Sequence, residues 1–229
     1  MKWISDLLDI ILPRYCAVCG SILSSSEKDL CLNCLYQLPR VEPIHAKEIE
    51  KLFWGIIPVE KASSYIYYRK GSPYNGLIHK LKYRNAPHIG VRLGAMAADE
   101  MLPSGFFDDI TLIVPLPLSR KKQRKRGYNQ CDYIARGISE RTGIPVATDL
   151  IKRTKANETQ THKTRDERWQ NVEGIFTVTK PQAMEGQHIL LVDDILTTGA
   201  TLCSCVDAIK SSCDCKVSIL TLALTYNGI

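Results

Sequence analysis

One run of thirteen residues constrains this chain more than any other: Ile189-Leu190-Leu191-Val192-Asp193-Asp194-Ile195-Leu196-Thr197-Thr198-Gly199-Ala200-Thr201. Four aliphatic residues in a row mark a strand buried on both faces. Two carboxylates follow, and a turn rich in threonine and glycine then opens a helix. Such a junction aims backbone amides and a helix dipole at one point, which suits a phosphate monoester. Thr197, Thr198 and Thr201 add hydroxyls, and Gly199 permits close approach of the backbone. Asp193 and Asp194, beside that pocket, can accept hydrogen bonds from the vicinal hydroxyls of a ribose. A Walker B strand would need a partner P-loop. Gly71-Ser-Pro-Tyr-Asn-Gly76 has the glycine spacing, but Leu77 stands where the lysine must be. No G-x-G-x-x-G is present, so dinucleotide binding loses support.

The flanking pattern gives the fold class. Ala62–Tyr68, Ile110–Pro115, Val146–Leu150, Gly174–Val178, Ile189–Val192 and Val217–Leu224 read as strands. Helices are expected from about Tyr74 to Arg84, Gly90 to Met101, Gly127 to Arg141 and Ala200 to Lys210, while Val41–Lys51 reads as loop or helix. Strands separated by helices imply an open, mostly parallel α/β sheet. Met1 to Leu12 is amphipathic, with Trp3, Ile4, Leu7, Leu8 and Ile11 on one face, and Asp6 and Asp9 argue against a signal peptide. No stretch is apolar enough over a sufficient length to span a membrane.

Nine cysteines in a chain with no export signal point to a reduced, cytoplasmic setting with some cysteines on metal. Cys16-Ala-Val-Cys19 and Cys31-Leu-Asn-Cys34 are two C-x-x-C pairs separated by eleven residues. Four thiolates so spaced suit a closed, tetrahedral, structural Zn²⁺ site. The division expected is a helix and four-cysteine module over 1–40, then one α/β domain over 41–229. Cys203, Cys205, Cys213 and Cys215 read as buried free thiols, since residues two apart on a helix point away from each other.

A second concentration of charge lies at Arg120-Lys121-Lys122-Gln123-Arg124-Lys125-Arg126, where six of seven residues are basic against a net charge of only +6. It follows the strand ending at Pro115 and Pro117, so in a parallel sheet it shares an edge with the acidic pair. A loop there can neutralise pyrophosphate or a nucleic-acid backbone.

The acidic-pair string resembles the phosphoribosyl pyrophosphate (PRPP) motif of type I phosphoribosyltransferases. Val114-Pro-Leu-Pro117 followed by Arg126-Gly-Tyr-Asn-Gln130 resembles the ComF family more specifically. So do the C-x-x-C pairs, Leu81-Lys82-Tyr83, Thr159-Gln160, Arg165, Arg168, Asn171-Val172 and Phe176. The resemblance implies a type I phosphoribosyltransferase fold behind a zinc-ribbon-like module. It implies that Asp193 and Asp194 contact ribose hydroxyls and that Thr197, Thr198, Gly199, Ala200 and Thr201 hold the 5-phosphate. Arg120, Lys121, Lys122, Arg124 and Arg126 would assist the pyrophosphate, with Mg²⁺ bridging ligand oxygens. ComF-like proteins are implicated in DNA uptake by competent bacteria. The expected activity is phosphoribosyl transfer with release of pyrophosphate. The competing expectation is a non-enzymatic, PRPP-responsive module that binds single-stranded DNA, with Tyr83, Tyr128 or Trp169 as stacking platforms. Arg153–Asn171, polar and charged, reads either as a segment closing over the site or as a surface hairpin.

Overall fold

The computed structural model describes residues 13–42, 45–154 and 174–225. In chain order the main elements are α1 (Leu32–Tyr36), α2 (Ala46–Lys51), β1 (Ala62–Tyr68), α3 (Asn75–Tyr83), α4 (Pro87–Met101), β2 (Leu112–Pro115), α5 (Arg120–Arg126), α6 (Gln130–Thr142), β3 (Ile151–Arg153), β4 (Phe176–Val178), β5 (His188–Leu196), α7 (Ala200–Lys210) and β6 (Lys216–Thr225). Four strands form one sheet in the order β1-β6-β5-β2, every pair parallel. Parallel neighbours require crossovers, which the helices supply. β3 and β4 form a separate antiparallel ribbon.

The two-residue period of a strand sorts the core onto two faces. Leu190, Val192, Leu220 and Leu222 share one cluster with residues of α3, α4 and α6. Ile189, Leu191, Val217 and Ile219 share the other with residues of α2, α7 and the ribbon. By the same alternation Asp194 falls on the α3 face and Asp193 on the α7 face. The acidic pair therefore straddles the carboxyl end of an inner strand, where open α/β sheets bind ligands. Cys16, Leu23, Leu30, Cys34 and Leu38 belong to the first cluster, together with Leu77 and Leu81 of α3. The cysteine module is thus packed into the core of the sheet rather than tethered to it.

Three expectations change. Val146–Leu150 is not a ladder strand: Val146 makes one parallel bridge to Ile113, and pairing resumes only at Ile151. The chain bends between them because the Asp149 carbonyl accepts from Thr179 Oγ1 at 2.6 Å and its carboxylate pairs with Lys180. The basic run is not a loop but the helix α5. Ser119 caps it by accepting from the Lys122 amide at 3.4 Å, and Gly127 ends it. The following helix consequently starts at Gln130 rather than Gly127, with Asn129 accepting from the Cys131 amide. The expected N-terminal helix and most of Arg153–Asn171 lie outside the described residues.

The close α4–α6 contact depends on two glycines. A Cβ at Gly94 would lie 2.3 Å from the Ile134 carbonyl oxygen, and one at Gly137 would lie 2.0 Å from that of Val91. Both obstacles are backbone, so neither can swing aside. Gly137→Ala is expected to destabilise the chain by about 3 kcal/mol, the upper part of the overpacking range. Urea unfolding should show a lower midpoint with an unchanged slope.

Candidate functional site

The turn after β5 is built from behind. Gly199 is left-handed at φ 77° and caps α7. Its α-carbon faces Phe53, which is fully buried and would stand 3.2 Å from an added Cβ. No described carbonyl accepts from the amides of Thr197, Thr198, Gly199, Ala200 or Thr201. These free donors, at the positive end of an eleven-residue helix, surround a hollow of about 30 Å³ lined by Asp193 and residues 195–202.

The acids are held by both layers. Asp194 is buried; Lys82 Nζ lies 2.8 Å from its Oδ1, and Gln130 donates to its Oδ2. Arg126 Nη1 in turn donates to Gln130 Oε1 at 2.8 Å, and its guanidinium lies over the Tyr83 ring at 5.2 Å. Asp193 accepts from the Cys131 thiol at 3.4 Å and from the Asp194 amide at 2.8 Å, both through Oδ1. Burial first, and the Asp194 charge second, push Asp193 up to about 6. Burial and both acids push the Cys131 thiol well up, so it remains a donor.

Beside the pair opens a cavity of about 460 Å³, lined by Pro117, Leu118, Arg120, Gln123, Asn129, Asp132, Thr148 and residues 151–154. Arg153 lines it: its Nε is buried without a hydrogen-bond partner among the described residues, and its guanidinium lies over Phe176 at 5.4 Å. Burial lowers its proton affinity, and the Asp193 charge opposes that shift. Lys122 is likewise held below the ordinary lysine range by burial and by Arg153, Arg126 and Lys82. Asp132 is raised to about 6 by burial, against a hydrogen bond from Asn129. Cations gathered in this way, with Arg120 and Arg153 in the cavity wall and Lys122 close to Arg153, suit an anion.

The structure thus brings together Asp193, Asp194 and residues 197–201. It links Arg126 to Asp194 through Gln130 and puts Arg120 in the cavity wall. Lys121 and Arg124 are exposed and do not line that cavity. Sequence reasoning did not single out Lys82, Gln130 or Arg153 as site residues. Lys82 and Gln130 stood inside motifs that had been noticed, and Arg153 opened the segment Arg153–Asn171 read as a cover or a surface hairpin rather than as a site residue. Tyr128 is half-buried, with its hydroxyl donating to the Leu81 carbonyl and its ring edge-on to Tyr133 at 5.3 Å. Trp169 lies outside the described residues.

The cysteine module is a separate centre. The Sγ atoms of Cys16, Cys19, Cys31 and Cys34 all lie within 4.8 Å of one another, and Cys19 and Cys31 are 3.7 Å apart. A tetrahedron with Zn–S bonds of about 2.3 Å has edges of about 3.8 Å, so the four thiols fit zinc. The Cys31 amide points at Cys16 Sγ at 3.4 Å and that of Cys34 at Cys31 Sγ at 3.5 Å, bonds that favour thiolate. Hydrogen bonding with Ser21 holds Cys19 down at about 6. Cys203, Cys205, Cys213 and Cys215 are buried thiols, and among the described residues they form no metal-ligating group.

Residues 129–228 match the phosphoribosyl transferase domain model and residues 7–46 the double zinc ribbon domain model. The chain is 29% identical over 192 residues to "Competence protein F" of Haemophilus influenzae, covering 82% of this chain and 75% of that protein. It is 40% identical over 91 residues to "Competence protein ComFC" of Bacillus subtilis, covering 40% of this chain and 35% of that one. It is also 29% identical over 133 residues to "DNA utilization protein YhgH" of Escherichia coli strain K12, covering 57% of this chain and 58% of the relative. The chain therefore spans little more than half, or only about a third, of the length of some of these relatives. A phosphoribosyl transferase domain, a double zinc ribbon and relatives bearing these competence names are therefore what this chain is similar to.

Proposed function

We propose that this protein binds PRPP with Mg²⁺ at the β5–α7 turn and transfers the phosphoribosyl group with release of pyrophosphate. One observation carries the reading: five amide positions from which no described carbonyl accepts and two adjacent carboxylates meet at the carboxyl end of one inner strand. The amides and hydroxyls of Thr197, Thr198, Gly199, Ala200 and Thr201 hold the 5-phosphate. Asp193 and Asp194 accept from the ribose hydroxyls. Attack at C1 breaks the bond to pyrophosphate, and the ring develops positive charge as in other glycosyl transfers. Arg120, Lys121, Lys122, Arg124 and Arg126 of α5, with Arg153 from the ribbon, neutralise the departing pyrophosphate. Asp194 Oδ1 and Oδ2 also meet Lys82 and Gln130, which hold its carboxylate in place beside the bound ligand. Mg²⁺ supplies charge neutralisation at the leaving group. The four cysteines of the module hold a structural zinc, and nine cysteines with no disulfide among the described residues fit a reducing, cytoplasmic compartment. Following the names of the relatives, the role proposed is in DNA uptake or nucleotide metabolism. Pyrophosphate release from PRPP, assayed across candidate acceptor bases, tests the transferase. No release with any base, despite PRPP binding, would leave a binding module.

A second reading is favoured by the surface beside the site. α5 buries no residue, and Tyr83, 56% exposed, lies under Arg126. That pairing of cations with an exposed ring suits single-stranded DNA. Anisotropy with a labelled oligonucleotide should then fall steeply with salt, and should be lost when Lys121, Lys122, Lys125 and Arg126 are changed to Ser.

α5 itself reports on the anion. Arg120/Arg124, Lys121/Lys125 and Lys122/Arg126 are like-charged pairs four apart, worth together about −1 kcal/mol to the helix. Cations in its first turn also oppose the dipole. Amide exchange over 120–126 is therefore expected to be fast in the free protein and to slow at least tenfold with Mg²⁺ and pyrophosphate. Unchanged exchange would remove these cations from the pyrophosphate site.

A further inference from the structure

The cysteine module and the acidic pair touch opposite ends of one helix. At the start of α3, the Tyr74 hydroxyl donates to the Cys34 carbonyl at 3.1 Å. Gly76 sits against the Ala17 carbonyl, where an added Cβ would be in van der Waals contact at 3.6 Å. Leu77 and Leu81 are fully buried in the cluster that includes Cys16 and Cys34. At the other end Lys82 reaches Asp194. Eight residues of helix separate Tyr74 from Lys82, a rigid span of about 12 Å.

We propose that Lys82 is a positioning residue of the ribose site, and that the four-cysteine module sets its position through α3. The proposal rests on the PRPP reading of the acidic pair and deepens it. Both partners of the Lys82–Asp194 pair are shielded, with side chains 17% and 7% exposed, so solvent does little to weaken it. Lys82 on Oδ1 and Gln130 on Oδ2 fix the plane of the carboxylate that faces the ribose. Gln130 is fixed from α5, by Arg126. Lys82 is carried by α3, whose start meets the module through Tyr74 and Gly76 and whose buried Leu77 and Leu81 pack in the cluster shared with Cys16 and Cys34; Tyr128 and Gly90 hold the helix further along, at Leu81. The phosphoribosyl transferase model begins at residue 129, so this whole arm comes from outside the matched domain. In this arrangement the metal module is a strut for the ligand site, and the two ends of α3 are energetically coupled.

A double-mutant cycle on the full chain, read by calorimetry with Mg²⁺ and PRPP, tests the proposal. Lys82→Met is expected to weaken binding about tenfold. Tyr74→Phe, which removes only the hydroxyl bonded to Cys34, should weaken it about threefold while zinc stays at one per chain. The double variant should bind no more weakly than Lys82→Met alone, and Lys82→Arg should recover binding to within about threefold of wild type. If Lys82→Met does not fold, Lys82→Gln, which keeps a donor for Oδ1, takes its place with the same non-additivity expected. Losses that multiply in the double variant, or Lys82→Met binding like wild type, would overturn the proposal while leaving the PRPP reading in place. Failure of wild type to bind PRPP would overturn both.

Discussion

Removing the metal, by chelation or by Cys31→Ser, should lower the melting temperature of the whole chain and not of the module alone. Cys16 and Cys34 are 2% and 5% exposed and share a cluster with Leu77, Leu81, Leu93 and Val192. Four thiols within 4.8 Å of one another need an ion to offset their mutual repulsion once ionised. Structural zinc contributes its binding energy to folding, about 10–16 kcal/mol in isolated fingers. Even if the surrounding core retains most of its packing, a loss of about 4 kcal/mol is expected, or about 8–16 °C for a chain of this size. Elemental analysis should find one zinc per wild-type chain and a clear deficit in Cys31→Ser. Equal zinc and equal melting temperature in the two would remove the structural role.

The two acids should separate stability from binding in opposite directions. Asp194→Asn breaks the pair with Lys82 and leaves a shielded ammonium without its partner. Loss of one member of a buried pair costs about 3–5 kcal/mol. Asp193→Asn replaces a carboxylate that burial and the Asp194 charge have raised to about 6. A raised acid favours the protonated folded state. Its contribution is therefore fully present below about pH 4 and is lost as pH rises through about 6. Asparagine mimics the protonated form, so Asp193→Asn is expected to match or exceed wild-type stability at pH 8. Binding should run the other way: a ligand that needs both carboxylates ionised gains affinity between about pH 5 and pH 7. Thermal melts and PRPP titrations at pH 5, 6, 7 and 8 check both signs. A stabilised Asp193→Asn that still binds PRPP as wild type does would contradict the assignment.

How much of this was legible in the sequence follows from what is local. The strand, its acids and the helix after them lie in one run, and α7 came out with the expected bounds, Ala200–Lys210. The four cysteines carried their own spacing. The basic run was harder, because its charge argued for a loop, although Ser119 before it and Gly127 after it are ordinary helix limits. Lys82 reaches Asp194 from a separate element, and Arg153 comes near enough to feel the Asp193 charge; no period or spacing reports proximity of that range. The short ribbon strand β3 was displaced to Ile151 by bonds from Thr179 and Lys180, thirty residues on. The packing of the module onto α3 was illegible for the same reason: a C-x-x-C pair fixes a metal geometry but not what lies beneath it.

The most direct test of the central claim is calorimetric titration of the zinc-loaded full chain with PRPP at pH 7.5, with and without Mg²⁺, beside Asp193→Asn. One ligand per chain is expected to bind the wild type only when Mg²⁺ is present, with affinity falling about 100-fold in the variant. Absence of binding to the wild type, or equal binding by the two proteins, would contradict a PRPP site at the β5–α7 turn.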